Sequence, residues 1–478
     1  MKRPALIDLG LLLALSLILR AALLGHPNLF IDEAFYTSVG VAMHQGALPY
    51  VEVWDRKPFG LFALYWVFTA FSPSPLGYQL AAIAFSGATG WMISRIALLW
   101  NSRPAALGAG ALYVLSLGLF QGFGGQSPVF YNLPMALAAL LVLRSRQTLR
   151  ASGPDSATYL AMVLAGLAIT IKTTAVFEAG FLGLYAAFLI SRADQAPAIK
   201  LRQVFNLAFA GATPTLLIAG GYALAGHFPE WWQAMVGANL VEGKWQAAAA
   251  FAQGRTLGIV LIPFAAMASF GMAAMANDDR HFMLGWMSAA LVGLISVPYF
   301  HAHYALPLLV PLAAASSKAF AHPRLGPALL AACAVLLAPA FHPFDRRATQ
   351  QARQQMDEAA SFISQNGSKR GLLVYQGPPY LYVASGAPFP SPLAFPPHLN
   401  HAIERNASTL DTAAEVRRIL AGKPGVVVIA RDVRDAPLND ETAGMVSAYA
   451  LGHCRKVTEI DVPELLRSDR LIIWGDCR

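Results

Sequence analysis

The sequence predicts a polytopic α-helical membrane protein of about eleven transmembrane helices, followed by a small soluble α/β domain. Three observations predict it. Of 478 residues, 56% are hydrophobic and only 13% charged, and the mean hydropathy is +0.48. Apolar runs of about 20 residues, enough to cross a ~30 Å hydrocarbon layer, recur between loops that hold many of the lysines and arginines. After Phe341 the pattern changes to polar helices alternating with short β-branched runs.

The first apolar run, residues 5–24, reads ALIDLGLLLALSLILRAALL and passes directly into a polar loop. It lacks a small-residue cleavage pattern and is expected to stay as the first membrane helix. A net charge of +8 suits a nucleic-acid partner at first sight. No basic run with interleaved aromatics occurs, however, and the excess lies in loops between apolar helices, so the charge fits positive-inside placement and no nucleic acid is expected.

Lys2 and Arg3 put the N-terminus in the cytoplasm, and Arg103, the cluster Arg144, Arg146 and Arg150, then Arg192, Lys200, Arg202, Arg280, Lys318 and Arg324 mark later cytoplasmic loops. Helices fit between these marks at 76–100, 104–122, 128–143, 157–172, 174–191, 203–225, 256–276, 282–300, 304–320 and 325–341. With the first helix the count is odd, so everything after Phe341 is expected on the outer side. Residues 60–71 are too few for a crossing and are read as a short or re-entrant helix. The expected division is a membrane domain, 1–341, with an outer loop at 26–58, and an extracytoplasmic α/β domain, 342–478.

In that last domain, helices are expected at 348–365, 411–421 and 440–451 and strands at 371–376, 426–431 and 470–475. Its Pro-rich stretch, GPPYLYVASGAPFPSPLAFPPHLN, is expected as a surface loop. Cys454 and Cys477 both fall here, and on an oxidising side they are candidates for a bridge that spacing alone leaves open. Cys333 lies in a helix. No CxxC, HExxH or comparable metal-ligand spacing occurs, so no metal ligands are expected.

On this topology the polar residues gather at the outer face: residues 32–57, the loop QGFGGQSPVFYN, Lys172, the loop HFPEWWQAMVGANLVEGKWQ, and PYFHAHYALP. Asp32 and Glu33 stand among Leu29, Phe30, Ile31 and Phe35, where ionised carboxylates are costly unless used or paired. Such a carboxylate can act as general base toward an acceptor hydroxyl or amine. Lys57 and Lys172 are the matching cations for a lipid phosphate, which needs its charge neutralised as it leaves.

Supporting positions are less determined. Glu178 either pairs within the bundle or binds substrate, and Asp55 either positions Lys57 or is a surface acid; Arg56 is read as solvated. Tyr131, Asn132, His301, His303 and Tyr304 are supporting or substrate-binding candidates. Trp231, Trp232 and Trp245 either anchor at the interface or stack on sugar rings.

These residues resemble a family: the membrane-embedded GT-C glycosyltransferases that use lipid-linked sugars, in the branch of the bacterial protein mannosyltransferases and the aminoarabinose transferase of lipid A. The resemblance is carried by IDEAFYTSVGVAMHQGALPYVEVWDRKPFGLFALYW, with its acid pair and D-x-K-P element, by LAITIKTTAVF, by HAHYALPLLVPLAA and by LLVYQGPPYLYVASG. It implies a helical bundle with juxtamembrane helices in the first outer loop. It implies Asp32 as the catalytic residue with Glu33 beside it, Lys57 on the donor phosphate, and a polyprenyl-phosphate sugar as donor. The acceptor is a lipid A, glycan, lipid or protein of the envelope, the transfer inverting, and the location the bacterial inner membrane. One departure stands out. The family often carries a second acid in the outer loop after the third helix, whereas here that loop reads GGQSPVFYN with no carboxylate. Glu33 supplies the second acid, or one suffices; use of a divalent cation stays open. The rival classes are a transporter or lipid-binding protein without chemistry and an inactive scaffold in glycan assembly.

Overall fold

The computed structural model describes residues 3–238, 247–297, 299–431, 437–465 and 468–478. The chain is a mostly helical multi-pass membrane protein with one small sheet. Among the described residues, seven helices are long and apolar enough to cross a membrane, beginning with Pro4–Leu23. A described helix falls at each of the eleven expected positions, but several are shorter than expected. Arg103–Ser116 has 14 residues and Leu306–Ala315 only 10, the latter between 3-10 turns at Ala302–Ala305 and Ser316–Phe320.

The chain divides into two compact units, each discontinuous in sequence. The first comprises Met1–Ala22, Leu80–Ile218 and Trp245–Phe344. Its helices pack through small residues: a Cβ on Gly271 would fall 1.8 Å from the Ala315 carbonyl oxygen, and one on Gly166 would fall 2.0 Å from that of Gly211. Such approach brings helix backbones together without a hydrophobic driving force from lipid. Arg20 ends the first helix inside this unit. Its Nε and Nη2 donate to the Phe123 and Gly122 carbonyls at 2.9 and 2.8 Å, so a buried cation ties down the turn before helix Ser127–Arg144. Loops that positive-inside placement puts on one side are joined by ion pairs, Arg146 to Asp279 at 2.6 Å and Arg150 to Asp278 at 2.7 Å.

The second unit comprises Leu23–Gln79, Ala219–Lys244 and Asp345–Arg478. It contains a four-stranded sheet in the order β1-β2-β4-β3: β1 Leu372–Val374, β2 Val426–Ala430, β3 Arg455–Pro463 and β4 Ser468–Gly475. β1 and β2 pair in parallel; β4 runs antiparallel to both β2 and β3. Helix Arg346–Gln365 covers one face with Met356, Ala359 and Ile363 against Val374, Val428, Leu471 and Ile473. The Cys454–Cys477 bridge is formed. β3 was not expected, because RKVTEIDVP is a charged edge strand, the kind that blocks further pairing and carries a weak apolar signal.

The loop between the first membrane helix and Leu76 folds into two helices, Ile31–His44 and Phe59–Thr69. Phe59–Thr69 has 11 residues and so spans about 16 Å at 1.5 Å per residue. Gly40 permits the pair to touch, since a Cβ there would lie 2.7 Å from the Tyr65 carbonyl oxygen. The Pro-rich stretch differs from the surface loop expected. It holds helices Tyr380–Ser385 and Pro396–Asn400, and Leu381, Tyr382, Leu393, Phe395 and Leu399 are buried. Phe395 stacks on Phe35 at 4.7 Å, and Ser38 Oγ donates to the Pro379 carbonyl at 3.2 Å. Prolines here rigidify a packed segment instead of marking an exposed one.

Candidate functional site

In the second unit the acid pair opens helix Ile31–His44, where the helix dipole favours negative charge. The two carboxylates have different surroundings. Glu33 is fully buried, beside the Tyr65 and Tyr78 phenols, whereas Asp32 is half-buried and keeps a solvent-facing side. Only Asp32 is therefore open to a substrate proton.

Lys57 stands between Arg56 and Pro58, its side chain 25% exposed. Its Nζ lies 3.9 Å from Asp55 Oδ1 and 5.8 Å from the centre of the Tyr36 ring. Tyr36 follows Asp32 by four residues, so the residue whose ring Lys57 approaches and the acid stand on one face of the same helix. Tyr50 donates its hydroxyl to the Lys57 carbonyl at 2.8 Å, fixing the turn. Asp55 is not a surface acid: it is buried, and Oδ1 accepts from the Arg56 N–H at 2.5 Å. Arg56 is not solvated either. It pairs with Glu404, the two side chains being 15% and 10% exposed. A guanidinium this far from water persists because a carboxylate meets it.

His398 is a further residue of this region that the sequence did not suggest. It is buried among Phe35, Trp54 and Phe395, with the Trp54 ring centre 4.7 Å away. Burial, reinforced by Arg56, Lys57 and His401, holds its imidazole well below the usual range and hence neutral. It lies more than three hundred residues from Trp54 in a segment without periodicity, so no sequence signal pointed to it.

In the first unit, Lys172 occupies an extended residue, φ −150° and ψ 124°, that separates helix Ser156–Ile171 from a 3-10 turn and helix Val176–Ser191. The break turns its ammonium over the Tyr304 ring, 5.0 Å from the centre. Lys172, Tyr131, Thr174, Glu178 and Tyr304 line one narrow cleft. Glu178 is buried and accepts the Trp286 indole N–H at 2.8 Å. His301 and His303 stack with rings 5.7 Å apart, and His303 lies 4.5 Å from Tyr304. His301 lines a separate, open cleft with Phe120, Gln121, Gln253, Thr256 and Phe300. Asn132 bonds the Tyr113 hydroxyl and the Leu306 carbonyl, both at 3.1 Å, and so anchors the helix that follows Tyr304.

Three of the segments expected to gather thus meet within the first unit, around Tyr131, Lys172 and Tyr304. The first loop and the segment after His227 meet within the second, where Trp54 Nε1 donates to Gln233 at 3.1 Å. Trp231 is buried and Trp232 half exposed; Trp245 lies outside the described residues. Among the described residues no three His, Cys, Asp or Glu side chains are grouped to hold a metal ion.

The fold and these charges define a class: a multi-pass membrane protein with paired helices in its first loop and a small α/β sheet. Two solved structures share it. They are ArnT from Cupriavidus metallidurans in the apo state, with a TM-score of 0.61 at 14% identity and 97% of each chain covered, and the same protein bound to undecaprenyl phosphate, with a TM-score of 0.60 at 13% identity and 97% of each chain covered. The fold implied by the first-loop resemblance is thus the fold observed. No family model and no curated protein matches the chain.

Proposed function

We propose that the chain is an integral-membrane glycosyltransferase of the GT-C type, which moves a sugar from a polyprenyl-phosphate donor to an envelope acceptor at the outer face of a bacterial inner membrane. The observation that carries this reading is the division of labour in the first loop. A half-buried Asp32 opens the helix that carries Tyr36, whose ring the Lys57 ammonium approaches, while the neighbouring Glu33 is sealed among phenols. Undecaprenyl phosphate bound to a protein of the same fold supports the donor class.

In this reading Asp32 accepts the proton of the acceptor hydroxyl or amine as that atom attacks the anomeric carbon. The bond from that carbon to the phosphate oxygen breaks, inverting the centre, and polyprenyl phosphate leaves with its charge met by Lys57. Lys172, held over Tyr304, is the cationic subsite of the membrane unit, with Glu178, Tyr131 and the 301–304 segment as its surroundings. The Cys454–Cys477 bridge supports placing residues 342–478 on the oxidising side, with residues 26–58 as the catalytic loop.

Turnover of radiolabelled polyprenyl-phosphate sugars by purified wild type and Asp32→Asn, with a membrane extract offering the acceptors, tests the reading. Release of polyprenyl phosphate by wild type alone supports it, and the labelled product identifies the acceptor. No release with any sugar moves the weight to a transporter or scaffold. Addition of EDTA in the same assay decides divalent-cation use.

A further inference from the structure

The W-D-R-K element is gripped from outside the first loop at Trp54 and Arg56. Trp54 N–H donates to the Pro392 carbonyl at 2.8 Å, and the Trp54 ring packs on His398. Trp54 Nε1 donates to Gln233, whose own amide donates to the Ala407 carbonyl at 3.0 Å. Arg56 pairs with Glu404. Glu404 is itself held, because its turn is fastened by the Ala402 N–H on the Pro437 carbonyl at 2.8 Å and by the bridge between His401 and Leu438. Segment 392–407 therefore fixes residues 54 and 56, and the residues that carry the site's charge, Asp55 and Lys57, lie directly after each of them.

The electrostatics depend on the same pair. Asp55 is buried, and its Oδ2 accepts no hydrogen bond among the described residues, so its charge rests on the Arg56 N–H and the Lys57 ammonium. Arg56 pairs with Glu404, and the Lys57 ammonium stands 3.9 Å from Asp55. Neutralising Glu404 removes an anionic partner from the Arg56 guanidinium, whose side chain is only 15% exposed, and favours swinging Arg56 outward. That motion takes the Arg56 N–H from Asp55 and shifts Lys57 next to it.

We propose that Glu404 is a positioning residue: by holding Arg56 it sets the turn on which Asp55 and Lys57 stand, so that segment 392–407 takes part in donor binding. The kinetic consequence rests on the proposed function, while the grip itself does not. A displacement of about 1 Å in a positioning cation is enough for large losses in substrate use. The test compares wild type, Glu404→Gln and Glu404→Asp by three readouts: donor KM and kcat, trypsin cleavage after Arg56, and thermal unfolding. Lys57 precedes proline and resists trypsin, which makes a cut here specific to Arg56.

Glu404→Gln is expected to raise donor KM about tenfold with kcat within about twofold, and to become cleavable after Arg56 at temperatures well below its melting transition. Glu404→Asp, which keeps the charge but reaches one methylene less far, is expected to give an intermediate KM. A Glu404→Gln protein with wild-type KM and a protected Arg56 overturns the proposal. If Glu404→Gln does not fold, Glu404→Asp decides: raised KM with unchanged kcat supports positioning, and wild-type KM overturns it. A wild type that turns over no donor sinks the proposed function alone, because the trypsin pattern still reports on the grip.

Discussion

The membrane unit and the first-loop unit hold their charges by opposite means. Lys172 is aimed by a break in a helix and by apolar neighbours, with a ring for its ammonium and one indole N–H on the nearby Glu178. Lys57 is aimed by the Tyr50 hydroxyl and Asp55, and its neighbours Trp54 and Arg56 are held by Pro392 and Glu404, far along the chain. Within lipid a helix must satisfy its own backbone groups, so a charged side chain is placed by interrupting the helix and lining the gap. A loop can take its partners from anywhere along the chain. The lesson is that a single side-chain loss should act locally in the first unit and spread along the chain in the second.

The largest expected effect separates the two acids of the first loop. Asp32→Asn should lower transfer by about a thousandfold or more with folding intact, since an amide cannot take the acceptor proton. Glu33→Gln keeps the buried shape and should retain most activity while shifting stability. Equal loss in both variants, measured as polyprenyl phosphate released, breaks the distinction drawn from their burial. Next is the bridge. Cys454→Ser with Cys477→Ser should destabilise the second unit by about 3 kcal/mol, the order expected from freeing a short loop. Separate thermal transitions for the two units, only one of them moved by the substitution, sharpen the comparison.

Smaller effects distinguish the two lysines. Lys57→Ala and Lys172→Ala should each reduce kcat/KM for donor by about 10 to 100-fold, the loss of one charge-assisted contact. Only Lys57→Ala is expected to change trypsin cleavage around residues 54–58; a change there in Lys172→Ala contradicts the local character assigned to the membrane unit. The smallest effect is in pH. Burial holds His398 well below the usual imidazole range and lowers His26 to about 4. Unfolded imidazoles protonate near about pH 6.5, so the stability contributed by the neutral rings is complete above that pH and is lost as pH falls toward the folded values. The slope per ring is about 1 kcal/mol per pH unit, and His398→Gln should flatten its share in melting curves taken between about pH 8 and 5.

Much of this was legible in the chain. Hydrophobic runs located the seven described helices long and apolar enough to cross a membrane, because the cost of exposing backbone in lipid leaves a long apolar segment few alternatives. The polar period of Arg346–Gln365 and the runs VVVIA and LIIW located the helix and two strands that form the sheet's core. β3 escaped, since its edge faces solvent and its charges hide the alternation. The Pro-rich stretch was misread because proline rigidity serves a packed turn as well as an exposed one, and only burial tells them apart.

The sequence by itself determined that this is a multi-pass membrane protein, that Asp32, Glu33 and Lys57 stand in a loop where charge is expensive, and that Lys172 interrupts an apolar run. Local chemistry suffices for those statements. Tertiary structure decided which of the two acids faces solvent, that Asp55 and Arg56 are buried, and that Glu404 and His398 stand beside residues 54–57. Those facts depend on contacts between segments hundreds of residues apart, where each side chain's burial is set by a partner that its own neighbours in sequence do not reveal.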